Sequence, residues 1–243
     1  LPDAALSRLD DDSWEVRNEL ARAARRLGDV NAVPHLLKRL DAEKEPEVIW
    51  SLLDALSELA PDDALGHART LAESPVPEAR GGGLLVLLQA GDLEGIIFAA
   101  TTLREMIRSP EARTRAAAAR VIAGFRAGKL VEELAALVVD NDEEVALTAI
   151  HTIGHRRVSA LAPNLCTRLG PGRIGRSAAI SLIKIGVEAV EPLQKVLESG
   201  PHAARRAAIR ALVRIDSPEA VDVVLQVIRT GGIDLATGAV RAI

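Results

Sequence analysis

Arginines one helical turn apart are the residues of this chain best placed to do chemistry. Arg113, Arg115, Arg120 and Arg126 fall within 110–126 against Glu111. Arg173, Arg176 and Lys184 fall within 172–185, and Arg205, Arg206, Arg210 and Arg214 within 201–215, both stretches without an acid. A guanidinium is a planar fork of donors that matches the paired oxygens of a carboxylate or phosphate. Such rows can line a groove for an acidic peptide, phosphate groups or nucleic acid. They can also form a ladder in which each arginine pairs with an acid of a neighbouring turn, such as Asp142 or Asp216. The candidate ligand contacts are Arg115, Arg120, Arg173, Arg176, Arg206 and Arg210.

Other constellations carry less. His151 and His155 share a helix face at a spacing that can hold zinc, but a metalloprotease needs Glu where Thr152 stands, and no third ligand lies nearby. Residues 170–175 spell G-x-G-x-x-G, yet a dinucleotide fingerprint needs a strand before it, and here a helical pattern precedes it. The reading is an ordinary turn. Gly81, Gly82 and Gly83 follow Arg80 at a helix start, where they can form an anion nest or allow close helix packing; packing is preferred. Cys166 sits among apolar positions and reads as a small buried hydrophobe. No paired-carboxylate, Ser-His-Asp or Cys-His spacing stands out, so no catalytic residue, metal or cofactor is expected.

The elements that must position these residues are helices. Apolar residues recur at i, i+3, i+4 and i+7, and no stretch alternates like an exposed strand, so the fold is expected to be all-α. Ser109-Pro110-Glu111 and Ser217-Pro218-Glu219 read as a capping hydroxyl followed by Pro at the first helical position. Gly28, Gly91, Gly186 and Gly200 read as left-handed helix ends. After a partial first unit ending in a helix over 13–27, the pattern predicts pairs at 31–40 with 46–60, 62–73 with 77–90, 92–108 with 110–126, and 129–139 with 142–156. Pairs at 158–169 with 172–185, 187–198 with 201–215, and 217–230 with 233–243 complete the set. The 92–108 helix, with Phe98 and Met106, is longer than its counterparts and is expected to disturb the stacking.

These pairs repeat. Leu27-Gly28-Asp29-Val30-Asn31-Ala32-Val33-Pro34 corresponds to Ile185-Gly186-Val187-Glu188-Ala189-Val190-Glu191-Pro192, and again to Ile215-Asp216-Ser217-Pro218-Glu219-Ala220-Val221. Ala32 and Ala220 lie 188 residues apart, six steps of about 31. A unit of this size cannot bury its apolar face alone, so neighbours must stack into a solenoid. With two Phe, two Trp and no Tyr in 243 residues, the core must be aliphatic and base-stacking platforms are scarce. The single cysteine excludes an internal disulfide and suits a reducing compartment, hence a cytoplasmic expectation. No apolar run is long enough to span a bilayer, and no secretory signal is visible.

The net charge of −4 hides an asymmetry: residues 1–109 carry 12 Lys and Arg against 20 Asp and Glu, whereas 110–243 carry 18 against 14. The first part is therefore acidic and the second mildly basic, which places any anion recognition in the second. The chain opens at Leu1 and closes at Ile243 on an apolar helical run, and reads as one domain over 1–243, excised from a longer protein.

The repeat unit resembles the HEAT repeat of the short bacterial, phycobilisome-lyase-like or E-Z type. An acidic turn, then Val-Arg or Ala-Arg opening the second helix, then small residues and Leu-Gly or Ile-Gly are carried by Asp12-Ser13-Trp14-Glu15-Val16-Arg17, Pro77-Glu78-Ala79-Arg80, Ala112-Arg113 and Arg205-Arg206-Ala207-Ala208. Pro34, Pro163 and Pro192 match the family's first-helix proline; Val48-Ile49 and Val145-Ala146 lack its arginine. The resemblance implies an α-solenoid of seven to eight antiparallel helix pairs in a right-handed superhelix, with second helices lining the concave face. It makes Arg17, Arg80 and Arg113 ladder residues. The expected function is a non-catalytic, monomeric scaffold binding another protein, or another domain of its parent, through that face. The alternative is polyanion recognition, nucleic acid included, by the basic part. Ala207–Ile215 followed by Ser217–Val221 is also similar to HEAT segments of bacterial membrane proteins related to nucleotide transporters, which would make this a cytoplasmic regulatory domain without membrane contact of its own. A lyase or glycosylase-like enzyme ranks last.

Overall fold

In a computed structural model, residues 1–125, 130–230 and 232–242 are described, and among them are sixteen α-helices and no strand. Packing divides the chain into two compact units, Leu1–Arg126 and Ala127–Ile243. Each unit is a stack of antiparallel helix pairs, so the chain is an all-α solenoid-type repeat protein.

In the first unit, α1 (Asp3–Leu6) continues through a 3-10 turn to pair with α2 (Trp14–Leu27). The following pairs are α3 (Val33–Ala42) with α4 (Pro46–Leu59), α5 (Pro61–Ala72) with α6 (Pro77–Ala90), and α7 (Leu93–Ile107) with α8 (Ala112–Gly124). In the second unit, α9 (Val131–Val138) pairs with α10 (Glu143–Arg156), and α11 (Ala162–Cys166) with α12 (Gly172–Ile185). Next come α13 (Val190–Ser199) with α14 (His202–Arg214) and α15 (Pro218–Thr230) with α16 (Ile233–Ala242). Eight pairs agree with the expected count. The first helix expected over 158–169 is shorter: a 3-10 turn at Ser159–Leu161 leads into a five-residue α11 carrying Pro163.

Local chemistry sets the ends. The Ser13 side chain accepts from the Val16 amide, Asp92 from Gly95, and Asp142 from Glu144 and Val145, each satisfying donors that a first turn leaves free. Ser217 Oγ likewise accepts from the Ala220 amide at the start of α15. At Ser109-Pro110-Glu111 the helix starts two residues later than expected, because Ser109 Oγ takes the Glu111 amide in a turn before α8 begins. Of the four glycines read as left-handed ends, Gly28 is left-handed (φ 63°) and Gly186 has φ 90° with ψ −139°. Gly91 and Gly200 are extended; a Cβ there would sit 2.4 and 2.5 Å from the carbonyl oxygens of Leu87 and Val196, so those positions need the small residue for space rather than for φ.

In each unit the second helices pack on one another more closely than the first helices do, which puts them on the inner side of the stack. The core between the layers is aliphatic, with Leu36, Leu52, Leu53, Leu56, Leu84, Leu85, Leu87, Leu103, Ile122 and Leu137 fully buried. Helix α6 is buried on nearly every side from Pro77 to Leu88. At 15 residues α7 is the longest helix described; Met106 is buried on it, while Phe98 stands 40% exposed.

Candidate functional site

The arginines sort into three kinds by what they touch. The first kind clasps its own turn. Arg17, Arg80 and Arg115 each stand fourth in a second helix and reach back to carbonyls of the preceding turn. Arg17 Nη1 donates to Asp11 O and Asp12 O, at 2.8 and 3.0 Å. Arg80 Nε donates to Ser74 O at 2.8 Å, and Arg115 Nη1 to Ser109 O and Pro110 O at 2.9 and 3.0 Å. Arg115, placed by sequence among the ligand contacts, thus spends donors on its own turn. Arg205 holds the same position in α14, but its Nε is buried without a hydrogen-bond partner among the described residues. Ile49, Ala146, Gly175 and Ala236 occupy it elsewhere.

Arg17 does more. Its Nε and Nη2 grip both oxygens of Glu43, which also accepts from Arg39 Nε and from the amides of Lys44 and Glu45. Burial alone would push the Glu43 carboxyl up; the hydrogen bonds from Arg17, then Arg39 and the two amides, outweigh it and hold the group at about 2.

The second kind is a ladder between second helices. Arg113 Nε reaches Glu78 at 2.7 Å, Arg120 Nη1 reaches Glu47 at 2.6 Å, and Arg173 Nη1 reaches Glu144 at 2.6 Å. These three rungs are glutamates in first helical turns, where an anion also meets the positive helix end; Arg25 on α2 adds a rung to Asp54 and Glu58 further along α4. Asp142, expected as a rung, is too short to leave its own turn and caps α10 instead. Arg126 lies outside the described residues.

The third kind stays free. Arg176, Arg206 and Arg210 are exposed, and none has an ion-pair or hydrogen-bond partner among the described residues. All three belong to the inner helices of the second unit. Arg206 and Arg210 line a groove of about 520 Å³ between α14 and α16, with His202, Ile209, Asp234, Thr237, Gly238 and Arg241. Three guanidiniums against one carboxylate make it a cationic trough with a buried isoleucine in its lining.

The remaining sequence candidates have structural duties. His151 Nε2 lies 3.2 Å from Ser177 Oγ; burial, then Lys184 and Arg173, push its pKa down. Among the described residues no three His, Cys, Asp or Glu side chains gather as a metal site. Cys166 is buried and its thiol pushed up to about 12 by burial, which leaves it unreactive. Gly81 to Gly83 are packing residues: a Cβ on Gly83 would lie 2.6 Å from backbone atoms of Ala68 and Ala72. Gly170 lies in the turn between α11 and α12, and Gly172 and Gly175 lie in the first turn of α12, packed tightly enough that a Cβ on Gly175 would sit 2.1 Å from Gly170 O.

A family model described as HEAT repeats matches residues 100–184 and 172–243. A chain of the structure in which Kap95p binding induces the switch loops of RanGDP to adopt the GTP-bound conformation is similar over 98% of this chain and 38% of its own, at 15% identity and a TM-score of 0.55. Importin beta is similar over 98% and 39%, at 14% identity and a TM-score of 0.54. The complex of CpcE and CpcF of phycocyanin lyase from Nostoc is similar over 98% and 94%, at 16% identity and a TM-score of 0.47. This chain therefore spans about two fifths of the first two, and the likeness to them concerns fold. No curated protein sequence matches the chain. No helix among the described residues is long and apolar enough to cross a membrane.

Proposed function

The chain belongs to the HEAT-repeat family, and on that premise we propose that it is a non-catalytic, monomeric scaffold that binds another protein, or another domain of its parent, through the exposed face of its second helices. One observation carries the reading: Arg176, Arg206 and Arg210, with Arg214 and Arg241, stand exposed and unpartnered among the described residues, while Arg17, Arg80, Arg113, Arg115, Arg120 and Arg173 serve turns and ladder. Surface guanidiniums held on rigid helices and not spent internally are what an interface needs. Protein binding suits the extended surface that a stack of helical repeats offers. Cys166, the single cysteine, suits a reducing compartment, and a cytoplasmic location is part of the proposal.

Site-resolved photo-crosslinking tests it. A photoreactive residue replacing Ala203, exposed on α14, should capture protein from an extract of the source organism, and one replacing Gln226, exposed on α15 in the first-helix layer, should not. Equal capture from both positions, or none from Ala203, would overturn the assignment of the face.

A further inference from the structure

We infer that the groove between α14 and α16 takes an extended segment of a partner protein with acidic residues at alternate positions. The inference rests on the scaffold reading above and specifies its ligand. The groove's charge sets the class: Arg206, Arg210 and Arg241 face it with Asp234 as the one carboxylate. Guanidinium forks so placed bind carboxylates in pairs of hydrogen bonds.

Spacing sets the pattern. His202, Arg206 and Arg210 follow one another at four-residue steps on α14, about 6 Å each. An extended chain repeats its same-side residues every second position, about 6.6 Å. Acids at i and i+2 of a strand laid along α14 therefore meet Arg206 and Arg210 in register. A helical ligand would instead need acids at i and i+4.

The rest of the lining accommodates such a strand. An extended peptide exposes backbone N–H groups, and Asp234 and Thr237 offer side-chain oxygens to accept them. A nucleic-acid strand is served less well. No Phe, Tyr or Trp lines the groove, so the His202 imidazole is the one ring in the lining for a base to stack on, and Asp234 repels a continuous row of phosphates.

Fluorescence anisotropy of the full chain decides it, using a labelled ten-residue peptide of alternating Asp and Ser. The comparisons are a peptide of the same composition with its Asp residues in one block, and an oligothymidylate. The alternating peptide should bind about fivefold more tightly than the block, and Arg206→Gln with Arg210→Gln should weaken it about tenfold, the scale of two partly exposed ion pairs. Arg229→Gln, on exposed α15, should change binding by less than about twofold. Equal binding of the two peptides, or an equal loss in Arg229→Gln, would reduce the effect to bulk charge and overturn the inference. Tighter binding of the oligothymidylate would assign the groove to nucleic acid, and peptide displacement by self-association at higher protein concentration would assign it to a second copy. Crosslinking confined to Ala203 without any preference for the alternating peptide would keep the scaffold reading and discard this one.

Discussion

Arg120 on α8 pairs with Glu47 on α4 at 2.6 Å, although α6 stands between their helices in the stacking order. The glycines of α6 make this reach possible. A Cβ on Gly81 would lie 3.1 Å from Trp50 on α4 and 3.3 Å from Val121 on α8, so the two outer helices nearly close over the bare backbone between them. With both partners about 40% exposed, the pair contributes at most about 1 kcal/mol. The close packing beneath it matters more.

The glycine run should therefore respond unevenly to alanine. At Gly83 a Cβ would meet the backbone of α5 at 2.6 Å, which cannot yield, so Gly83→Ala should destabilise by about 1–3 kcal/mol despite the better helix propensity. At Gly82 the nearest atom, at 2.5 Å, is the end of the Leu53 side chain, which can turn aside. Gly82→Ala should cost clearly less. Urea denaturation of both variants checks the order; a larger loss at Gly82 would refute the packing account.

Acid should unfold the first unit through Glu43. Its folded pKa of about 2 lies below the ordinary value of 4.5, so it contributes stability above pH 4.5 that disappears as the pH falls toward 2. The difference corresponds to about 3 kcal/mol at neutral pH. Glu43→Gln should cost about that much at pH 7, and the gap from wild type should narrow below about pH 4.5 and close only as the pH approaches 2. Denaturation at pH 7, 5, 4 and 3 measures it. A gap that stays constant across this range would mean that the Arg17 grip does not depend on the charge of Glu43.

The repeat, the helix pairing and the aliphatic core could be read from the sequence because they rest on periodicity, which is local. The three roles of the arginines could not. Arg113 and Arg115 differ by two positions, and a helix turn sends one across to Glu78 and the other back to Ser109 and Pro110. Arg120 finds Glu47, 73 residues away, a pairing no spacing argument contains. Arg157 closes α10 in a left-handed conformation (φ 51°) without being a glycine, so no turn signal marked it. Arg115 is fourth in its helix, as the clasping arginines are, only because α8 starts at Ala112; the start expected at Pro110 makes Arg113 the fourth residue instead.

The free and the clasping arginines should separate in stability measurements. Arg206→Glu with Arg210→Glu reverses two exposed charges that hold nothing in the chain, so helical content should stay and stability should change by less than about 1 kcal/mol. Arg17→Gln removes a buried fork serving one carboxylate and two carbonyls, and should cost about 3 kcal/mol. Circular dichroism with thermal melting compares them. Unfolding by the Arg206 and Arg210 reversals would return those arginines to a structural role.

The glycine turn at 170–175 yields a last test, because a nucleotide loop and a packing turn rank its glycines differently. As a packing turn, Gly170 has open space around its missing Cβ, Gly172 needs its φ of 88°, and Gly175 abuts the Gly170 backbone. Gly170→Ala should then be nearly neutral, Gly172→Ala should cost about 1–2 kcal/mol for a strained left-handed backbone, and Gly175→Ala should cost more. ADP or NADH at millimolar concentration should leave the melting temperature of the wild-type chain unchanged, since a ligand bound to the folded state would raise it. A nucleotide-dependent rise that Gly172→Ala abolishes would instead make these residues a phosphate-binding loop on a helix-to-helix turn.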